Sequence, residues 1–437
     1  MLIANCLTRK ILQLAIPSIA ANITTPLLAL VDTAIVGHMG SELYIAAIAV
    51  GGMMFNMLYW LFSFLRAGTS GLAAQAYGAA DSKAISLTLR RSLLVALTIG
   101  ALMILLRNPL FTLLIDFVGA DRGATELASV YFHILIFGAP AVLGNYALSG
   151  WFLGMQNSKM LLWVSLIINV VNISASLILV YVLHMGVAGV AAGTLIAQIT
   201  GFAAGFLFMG RYKVARVRLA EVFYLAELKR FFKVNIDVML RTVCLIAVTV
   251  WFTSAGAKQG NVILAANALL MQLFMLFSYL MDGFAFAGEA LIGRFIGAGQ
   301  PKEMHLCVRR LMLMGAAGAL LFTIIYYFGG EGFLRLLSDD SDVIAASRDY
   351  ALWAVTIPFA GFAAFVWDGV YIGATLTRQL LISMAISAAS FFLIYFLLFP
   401  RWGNHALWLA FITYLALRGI LQALLFRRAY PRKQTDL

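Results

Sequence analysis

The stretch 11-ILQLAIPSIAANITTPLLALVDTAIVGH-38 is an apolar run that is long enough to cross a lipid bilayer as a helix. It holds a single acid, Asp32, and no Lys or Arg occurs between Lys10 and Arg66. An ionised carboxylate within lipid costs free energy, by estimates that start at about 2.5 kcal/mol, and such acids commonly mark ion pathways. We therefore predict that Asp32 is buried in a helix bundle and exchanges a cation. The alternative is an acid that neighbouring polar groups satisfy, with a structural role only.

The composition extends this interpretation to the whole chain. Of 437 residues, 63% are hydrophobic and 11% are charged, whereas soluble proteins carry about 25% charged residues. Apolar runs of about 20 residues recur along the chain, which is typical of membrane-spanning helices and not of barrel strands. The first run leads into further spans, so we expect a membrane helix and not a cleaved signal. The sequence thus predicts an all-α polytopic membrane protein.

Several functional classes are disfavoured by the residues present. The sequence has no G-x-x-x-x-G-K-[ST] phosphate loop, and its three cysteines lie far apart, without metal or redox spacing. We therefore expect no ATP-driven step, no cofactor and no metal site. The net charge of +12 is attributed to loops on one side of the membrane, so it does not indicate nucleic-acid binding.

Twelve spans are predicted. They lie at about 11–37, 44–68, 88–114, 127–152, 160–183, 187–209, 231–255, 262–287, 307–328, 347–372, 378–399 and 404–426. A long polar connection follows the sixth span. It divides the chain into an N-lobe (1–210), a linker (211–228) and a C-lobe (229–437).

The two halves repeat each other. A shift of 219 residues places 72-LAAQAYGAADSKAISLTLRRSLL-94 on 291-LIGRFIGAGQPKEMHLCVRRLML-313, and it also pairs Tyr131 with Tyr350, Gly150 with Gly369 and Gly154 with Gly373. Because each half has an even number of spans, the repeats are parallel and related by an axis along the membrane normal. Of the 31 basic residues, 22 lie in loops that share a side with the termini and 6 in the opposite loops. The positive-inside rule then places both termini in the cytoplasm.

Three stretches carry a family resemblance. Residues 22-NITTPLLALVDTAIVGHMGS-41, 64-FLRAGTSGLAAQAYGA-79 and 365-FVWDGVYIGAT-375 resemble the DinF branch of the multidrug and toxic compound extrusion (MATE) transporters. The resemblance implies a V-shaped molecule of two six-helix lobes in the bacterial inner membrane. It also implies an internal cavity and cation-coupled export of organic compounds, without enzymatic activity.

Polar residues of the N-lobe are predicted to surround Asp32 and to tune its proton affinity. This coupling group comprises Asp32, Asn145, Asn169, Asn172, Ser176 and Thr194. In some relatives an Asp follows the span-five Asn by four residues, whereas here Ser176 follows Asn172. A single carboxylate is a poor Na⁺ site, which favours H⁺ as the coupling ion and leaves Na⁺ as the alternative. Pro17 and Pro26 lie in the same span as Asp32 and are expected to let it kink.

The C-lobe carries five charged residues within spans: Asp237, Arg241, Asp282, Asp368 and Arg418. They form either a structural ion network, since buried charges are normally paired, or a second cation or substrate site centred on Asp368. Three acids and two arginines leave one negative charge over.

Methionine and aromatic side chains suit surfaces that repack around varied organic cations. We assign the substrate cavity to Met53, Met57, Tyr59, Gln272, Met275 and Tyr279. The sequence therefore predicts a monomeric antiporter that exports lipophilic, cationic compounds in exchange for H⁺. A lipid-linked precursor flippase of the same superfamily is the alternative, and a membrane-embedded acyltransferase is a remote one.

Overall fold

The structure is a computed structural model that describes residues 2–37, 42–118 and 121–430. Its regular secondary structure is all helical, and no strand occurs in these ranges. Within them, eleven helices are long and apolar enough to cross a membrane, and the first predicted span lies inside a further helix, α1. The predicted fold class, an all-α polytopic membrane protein, is confirmed.

The helices of the first half follow the six predicted spans. They are α1 (Leu2–Gly37), α2 (Glu42–Leu61), α3 (Phe64–Gly78), α4 (Ser82–Leu105), α5 (Arg107–Val118), α6 (Arg122–Leu135), α7 (Ala139–Gly154), α8 (Lys159–Leu177) and α9 (Gly186–Met209). A 3₁₀ turn at Ile136–Gly138 joins α6 to α7, and a π-helical turn at Ile178–Val182 ends α8.

The second half consists of longer helices. A short helix, α10 (Leu219–Val222), precedes α11 (Leu225–Ala257), α12 (Asn261–Gly297), α13 (Pro301–Leu337), α14 (Ser341–Gly373), α15 (Thr377–Trp402) and α16 (Asn404–Ala429). Each of the six long helices contains one predicted span.

Two helices of the first half do not end where the second and third spans were predicted to end. The second continues beyond residue 68, through a turn at Phe62 and Ser63, to Gly78. The third ends at Leu105 and not at residue 114. Pro109 explains this break, because its ring would clash with the carbonyl of Leu105 in a continuous helix; a separate helix, α5, follows.

The chain divides into two compact units. The N-unit is Ile16–Asn235, and the C-unit comprises Met1–Ala15 with Ile236–Leu437. The N-unit therefore contains the linker, and the first residues of α1 group with the C-unit. The predicted lobe boundaries, at 210 and 229, stay a prediction.

The sequence repeat is also a repeat of backbone conformation. Three pairs of positive-φ residues lie 219 positions apart: Ala80 and Gly299, Gln156 and Thr375, and His184 and Gly403. Helices α3 and α12 end, and α4 and α13 begin, with the same spacing. The two units thus turn the chain at equivalent positions.

Close helix packing repeats as well. A Cβ at Gly150 would overlap the carbonyl oxygen of Arg66, and one at Gly369 would overlap that of Ala285. One turn later, a Cβ at Gly154 would lie 2.9 Å from Ser70 O, and one at Gly373 would lie 2.6 Å from Glu289 O. Each contacted carbonyl also lies 219 positions from its equivalent, so both units use the same glycine seam between helices.

The linker is held against α4 of the N-unit. Lys83 Nζ lies 2.8 Å from Glu221 Oε1, and Arg90 Nη1 donates to Val217 O at 3.0 Å. Arg91 donates to the carbonyls of Glu221 and Val222, at 2.8 and 3.1 Å. The linker, which we call the strap, is therefore bound to α4.

Candidate functional site

Asp32 lies in the last two turns of α1 and is only 6% exposed. Its Oδ2 atom lies 3.5 Å from the hydroxyl of Thr194 on α9. That hydroxyl accepts from Asn172 Nδ2 of α8 at 2.8 Å, and it also lies 3.0 Å from Val190 O. Because Thr194 has one hydroxyl hydrogen, it donates to either Asp32 or Val190. Helices α1, α8 and α9 thus meet at one buried polar centre, as predicted for Asp32, Asn172 and Thr194.

Ser176 lies at the same place on α8, one turn beyond Asn172. It is fully buried, and its hydroxyl packs against Gly193, the neighbour of Thr194. Three oxygens of this group are buried without a hydrogen-bond partner among the described residues: Asp32 Oδ1, Asn172 Oδ1 and Ser176 Oγ. The centre is therefore rich in acceptor atoms.

Asn145 and Asn169, which were predicted to belong to the group, are not brought to Asp32. Asn145 donates from α7 to Gln198 O at 3.4 Å, one turn along α9 from Thr194. Asn169 donates to Ser165 O of its own helix at 2.8 Å. Both contacts are typical of structural hydrogen bonds in membrane helices.

Tyr131 of α6 is a member that the sequence analysis missed. It is 4% exposed and lies near Thr194 and Asp32. The sequence analysis named Tyr131 only because it pairs with Tyr350 in the repeat. A single aromatic residue in an apolar span gives no sign of which neighbour its hydroxyl meets.

Helix α1 is tied to α8 on both sides of Asp32. The hydroxyls of Thr24 and Ser165 share a hydrogen bond, and Tyr181 OH donates to Ile35 O at 3.1 Å. Pro17 and Pro26 lie inside α1, which is continuous from Leu2 to Gly37. The hinge role of the two prolines stays a prediction.

The C-unit holds a different carboxylate centre. Asp368 of α14 is 6% exposed and pairs with Arg241 of α11. Its Oδ2 atom lies 3.4 Å from Arg418 Nη2 of α16, and its Oδ1 accepts from Gln422 at 2.7 Å. Two guanidinium groups and an amide therefore surround this carboxylate. An acid so fully paired has the structural character of an ion network.

The other two predicted acids have different partners. Asp237 accepts from Thr377 at 3.0 Å and lies 3.8 Å from Arg378, so it does not join Asp368. Asp282 of α12 interacts electrostatically with Arg418. The sequence count left one negative charge over because it treated Arg378 as a loop residue. With Arg378 included, the three acids and three arginines balance.

The predicted substrate residues lie on α2 and α12. Met53, Gln272 and Met275 are exposed on the protein surface, whereas Met57, Tyr59 and Tyr279 are half-buried. The hydroxyl oxygen of Tyr59 is itself buried. Their role in binding substrate stays a prediction.

A buried amide cluster in the C-unit was also missed. Asn267 and Asn404 donate to each other at 2.9 Å, and Trp408 Nε1 donates to Asn267 Oδ1 at 2.9 Å. This cluster joins α12 to α16 and has the reciprocal geometry of a structural clamp.

A buried carboxylate with neutral partners, set in a twofold repeat of membrane helices, is the arrangement of a secondary transporter. The chain belongs to the MatE family, whose model matches residues 17–178 and 236–398. The two matched segments begin 219 residues apart, the spacing of the repeat.

Particular relatives support the same class. The chain is 38% identical to the DNA damage-inducible protein F of Escherichia coli, over 95% of this chain and 91% of that protein. It is 24% identical to the probable multidrug resistance protein NorM of Chromobacterium violaceum, over 97% and 94%. A crystal structure of the Vibrio cholerae MATE transporter VcmN in the bent form matches with a TM-score of 0.86 at 18% identity, covering 98% of both chains. The predicted MATE and DinF resemblance is confirmed, and the protein is a membrane transporter.

Proposed function

We propose that this transporter is a multidrug antiporter that exports lipophilic, cationic organic compounds in exchange for H⁺ bound by Asp32. It would work in the bacterial inner membrane with both termini in the cytoplasm. The observation that carries the proposal is the surroundings of Asp32, which is buried among Thr194, Asn172 and Tyr131 and forms no ion pair with a described residue. A carboxylate without a fixed counter-charge is able to take up and release a proton as its surroundings change.

The hydrogen-bond pattern gives this exchange a structural consequence. An ionised Asp32 only accepts, so Thr194 turns its hydrogen towards it. A protonated Asp32 is a donor, and Thr194 then returns its hydrogen to Val190 O, 3.0 Å away. Proton binding thereby changes how α1 is held against α8 and α9. Pro17 and Pro26 lack backbone donors and would allow α1 to respond by bending.

Sodium is the second candidate ion, and one observation favours it. The unpaired oxygens of Asp32, Asn172 and Ser176 are the atom type that a hard cation binds. They supply one negative charge between them, however, whereas hard cations usually require more charge. This balance favours H⁺.

The test is export of a fluorescent organic cation from vesicles that contain the purified protein, driven in turn by a proton gradient and by a sodium gradient. Wild type is expected to respond to the proton gradient. Asp32→Asn keeps the shape and the acceptor oxygen but cannot exchange a proton, so it should abolish driven export. Ser176→Ala is the matched variant: it removes a possible Na⁺ ligand and should leave proton-driven export intact.

Two results would contradict the proposal. Undiminished drug/H⁺ exchange by Asp32→Asn would remove Asp32 from the coupling. Export driven by sodium alone, and lost in Ser176→Ala, would assign the site to Na⁺. The flippase alternative gains no support from the C-unit, because Arg241 and Arg418 are both engaged by Asp368.

A further inference from the structure

A group of four aromatic rings lies in the C-unit, between helices α11 and α15. Trp251 of α11 is half-buried, and the ring centroids of Phe392, Tyr395 and Phe396 lie 5.6, 5.8 and 5.5 Å from its own. Their planes are inclined to that of Trp251 by 75°, 85° and 65°. These four rings, which we call the aromatic group, therefore form walls around Trp251 and not a flat stack.

A lysine ammonium lies on the aromatic group. Lys258 Nζ is 5.5 Å from the centroid of the Trp251 ring, within the limit of about 6 Å for a cation–π contact. Lys258 follows directly after α11, two turns beyond Trp251, and is exposed. It forms no ion pair with any residue that the structure describes. The ammonium is thus held by a ring and not by a carboxylate.

The aromatic group occupies the position that the Asp32 centre has in the N-unit. The polar residues of that centre have aromatic counterparts: at a shift of 219, Asp32, Asn172 and Ser176 correspond to Trp251, Phe391 and Tyr395. Thr194 and Tyr131 are retained, as Thr413 and Tyr350. A carboxylate attracts cations by its charge and an aromatic face by its quadrupole. Both centres therefore attract cations, but the aromatic one does so without a group that exchanges a proton.

The ordinary explanation for a tryptophan near the end of a span is the aromatic belt at the membrane surface. Trp402, at the end of α15, fits that explanation, since it is 55% exposed. Trp251 does not, because three rings of α15 surround it and one of them, Tyr395, is only 5% exposed. Phe396, on the opposite side, is 59% exposed. The aromatic group is therefore closed at Tyr395 and open at Phe396 and Lys258.

We propose that the aromatic group binds the cationic centre of the transported compound, and that Lys258 occupies it while no substrate is bound. The inference rests on the proposed export of lipophilic cations and gives the cation a place in the unit that lacks Asp32. A lipophilic ammonium or phosphonium ion fits this site. Its charge is attracted by the ring faces, and its apolar groups are buried against the same rings.

Lys258 has a defined role in release of the substrate. Because it is tethered two turns from Trp251, its ammonium competes for the rings at a high effective concentration. Substrate that arrives displaces the ammonium into solvent, and the ammonium returns when the substrate leaves. Lys258 lies on the predicted outer side of the membrane, where an exporter releases its substrate. The competition therefore favours release over retention.

The test is equilibrium binding of tetraphenylphosphonium to the purified protein in detergent, measured by calorimetry without any ion gradient. Trp251→Leu keeps an apolar side chain but has no ring face, so it should bind this cation about five- to thirtyfold more weakly. Lys258→Gln removes the competing ammonium and should bind it more tightly than wild type by a similar factor. Lys258→Arg keeps a cation that lies on aromatic rings and should match wild type.

Two controls separate recognition of the charge from packing. Trp402→Leu removes an exposed tryptophan near the same end of α15 and should keep wild-type affinity. Triphenylphosphine oxide, a neutral aryl compound, should lose much less affinity than tetraphenylphosphonium in Trp251→Leu. Equal losses for the two compounds would show a packing role and overturn the site.

The remaining outcomes distinguish this inference from the proposed function. Wild-type affinity for tetraphenylphosphonium in both Trp251→Leu and Lys258→Gln, with normal driven export, would overturn the site and leave the proposed function standing. Undiminished export by Asp32→Asn would instead overturn the proton coupling. It would not change the binding results, since these are measured without a gradient.

Discussion

Two buried carboxylates of this chain have opposite surroundings. Asp32 is met by the neutral groups of Thr194 and Asn172, whereas Asp368 is met by Arg241, Arg418 and Gln422. A fixed guanidinium holds a carboxylate in its charged form, while neutral partners leave both forms accessible. The first residue is therefore suited to proton exchange and the second to holding helices α11, α14 and α16 together.

Asp368→Asn is expected to destabilise the C-unit severely. The substitution leaves Arg241 without its paired carboxylate and leaves Arg418 with its interaction with Asp282, and breaking a buried ion pair typically costs about 3–5 kcal/mol. Thermal unfolding in detergent should show a clear fall in the midpoint. Asp237→Asn is the matched control, because its partner Arg378 is 66% exposed and remains hydrated, so its effect should be smaller. An unchanged midpoint for Asp368→Asn, with transport lost, would instead make Asp368 a transport site.

At the scale of elements, one contact that holds the strap is the ion pair between Lys83 and the half-buried carboxylate of Glu221. The hydrogen bond from Lys83 holds the pKa of Glu221 below its ordinary value of 4.5. A lowered pKa in the docked state means that this contact stabilises docking above about pH 4.5. The contribution is lost as the pH falls through the lowered pKa, because protonated Glu221 no longer attracts Lys83.

Glu221→Gln should imitate this protonation at neutral pH. We expect trypsin to cleave after Arg216 or Arg218 about two- to fivefold faster, a modest change because exposed ion pairs contribute little. High salt should raise the wild-type rate towards that of the variant. Glu227→Gln is the control, since Glu227 lies 3.7 Å from Arg91 and donor contacts from Arg91 to the strap carbonyls remain. Equal cleavage of wild type and Glu221→Gln at low salt would contradict this role.

The elements were largely predictable from hydropathy, and their contacts were not. Helical spacing placed Asn169 and Asn172 on one face of α8, but only Asn172 reaches Thr194, since a face of a helix is wider than one contact. The sequence grouped Asp237 with Asp368, yet Asp237 contacts Thr377 while Arg241, one turn further along α11, is the residue that pairs with Asp368. The break before α5 was foreseeable, because Pro109 stood in the predicted span and its effect on a helix interior is known.

At the scale of the whole molecule, a common frame supports two different chemistries. The turns at Ala80 and Gly299, and the glycine seams of both units, repeat at a spacing of 219. The acid Asp32 and the arginine network around Asp368 do not repeat. At each seam two helix backbones lie so close together that only glycine fits between them, so the glycines are the same in both units. Side chains that point into the interior of each unit are not constrained in this way and differ between the units. The repeat could therefore be recognised in the sequence from its glycines and turns, but it did not predict the functional residues of either unit.

Gly150→Ala and Gly369→Ala are accordingly expected to destabilise the protein by similar amounts. Each new methyl group would overlap a backbone carbonyl, of Arg66 or of Ala285, and backbone cannot move aside as a flexible side chain does. Overpacking of this kind typically costs about 1–3 kcal/mol. Gly52→Ala is the control, because a Cβ there meets nothing within 4 Å and alanine favours helix by about 1 kcal/mol over glycine. Thermal midpoints of the three variants decide the matter: the first two should fall together while the third holds or rises. A large loss in one glycine variant alone would show that the seams, though alike in geometry, support the two units unequally.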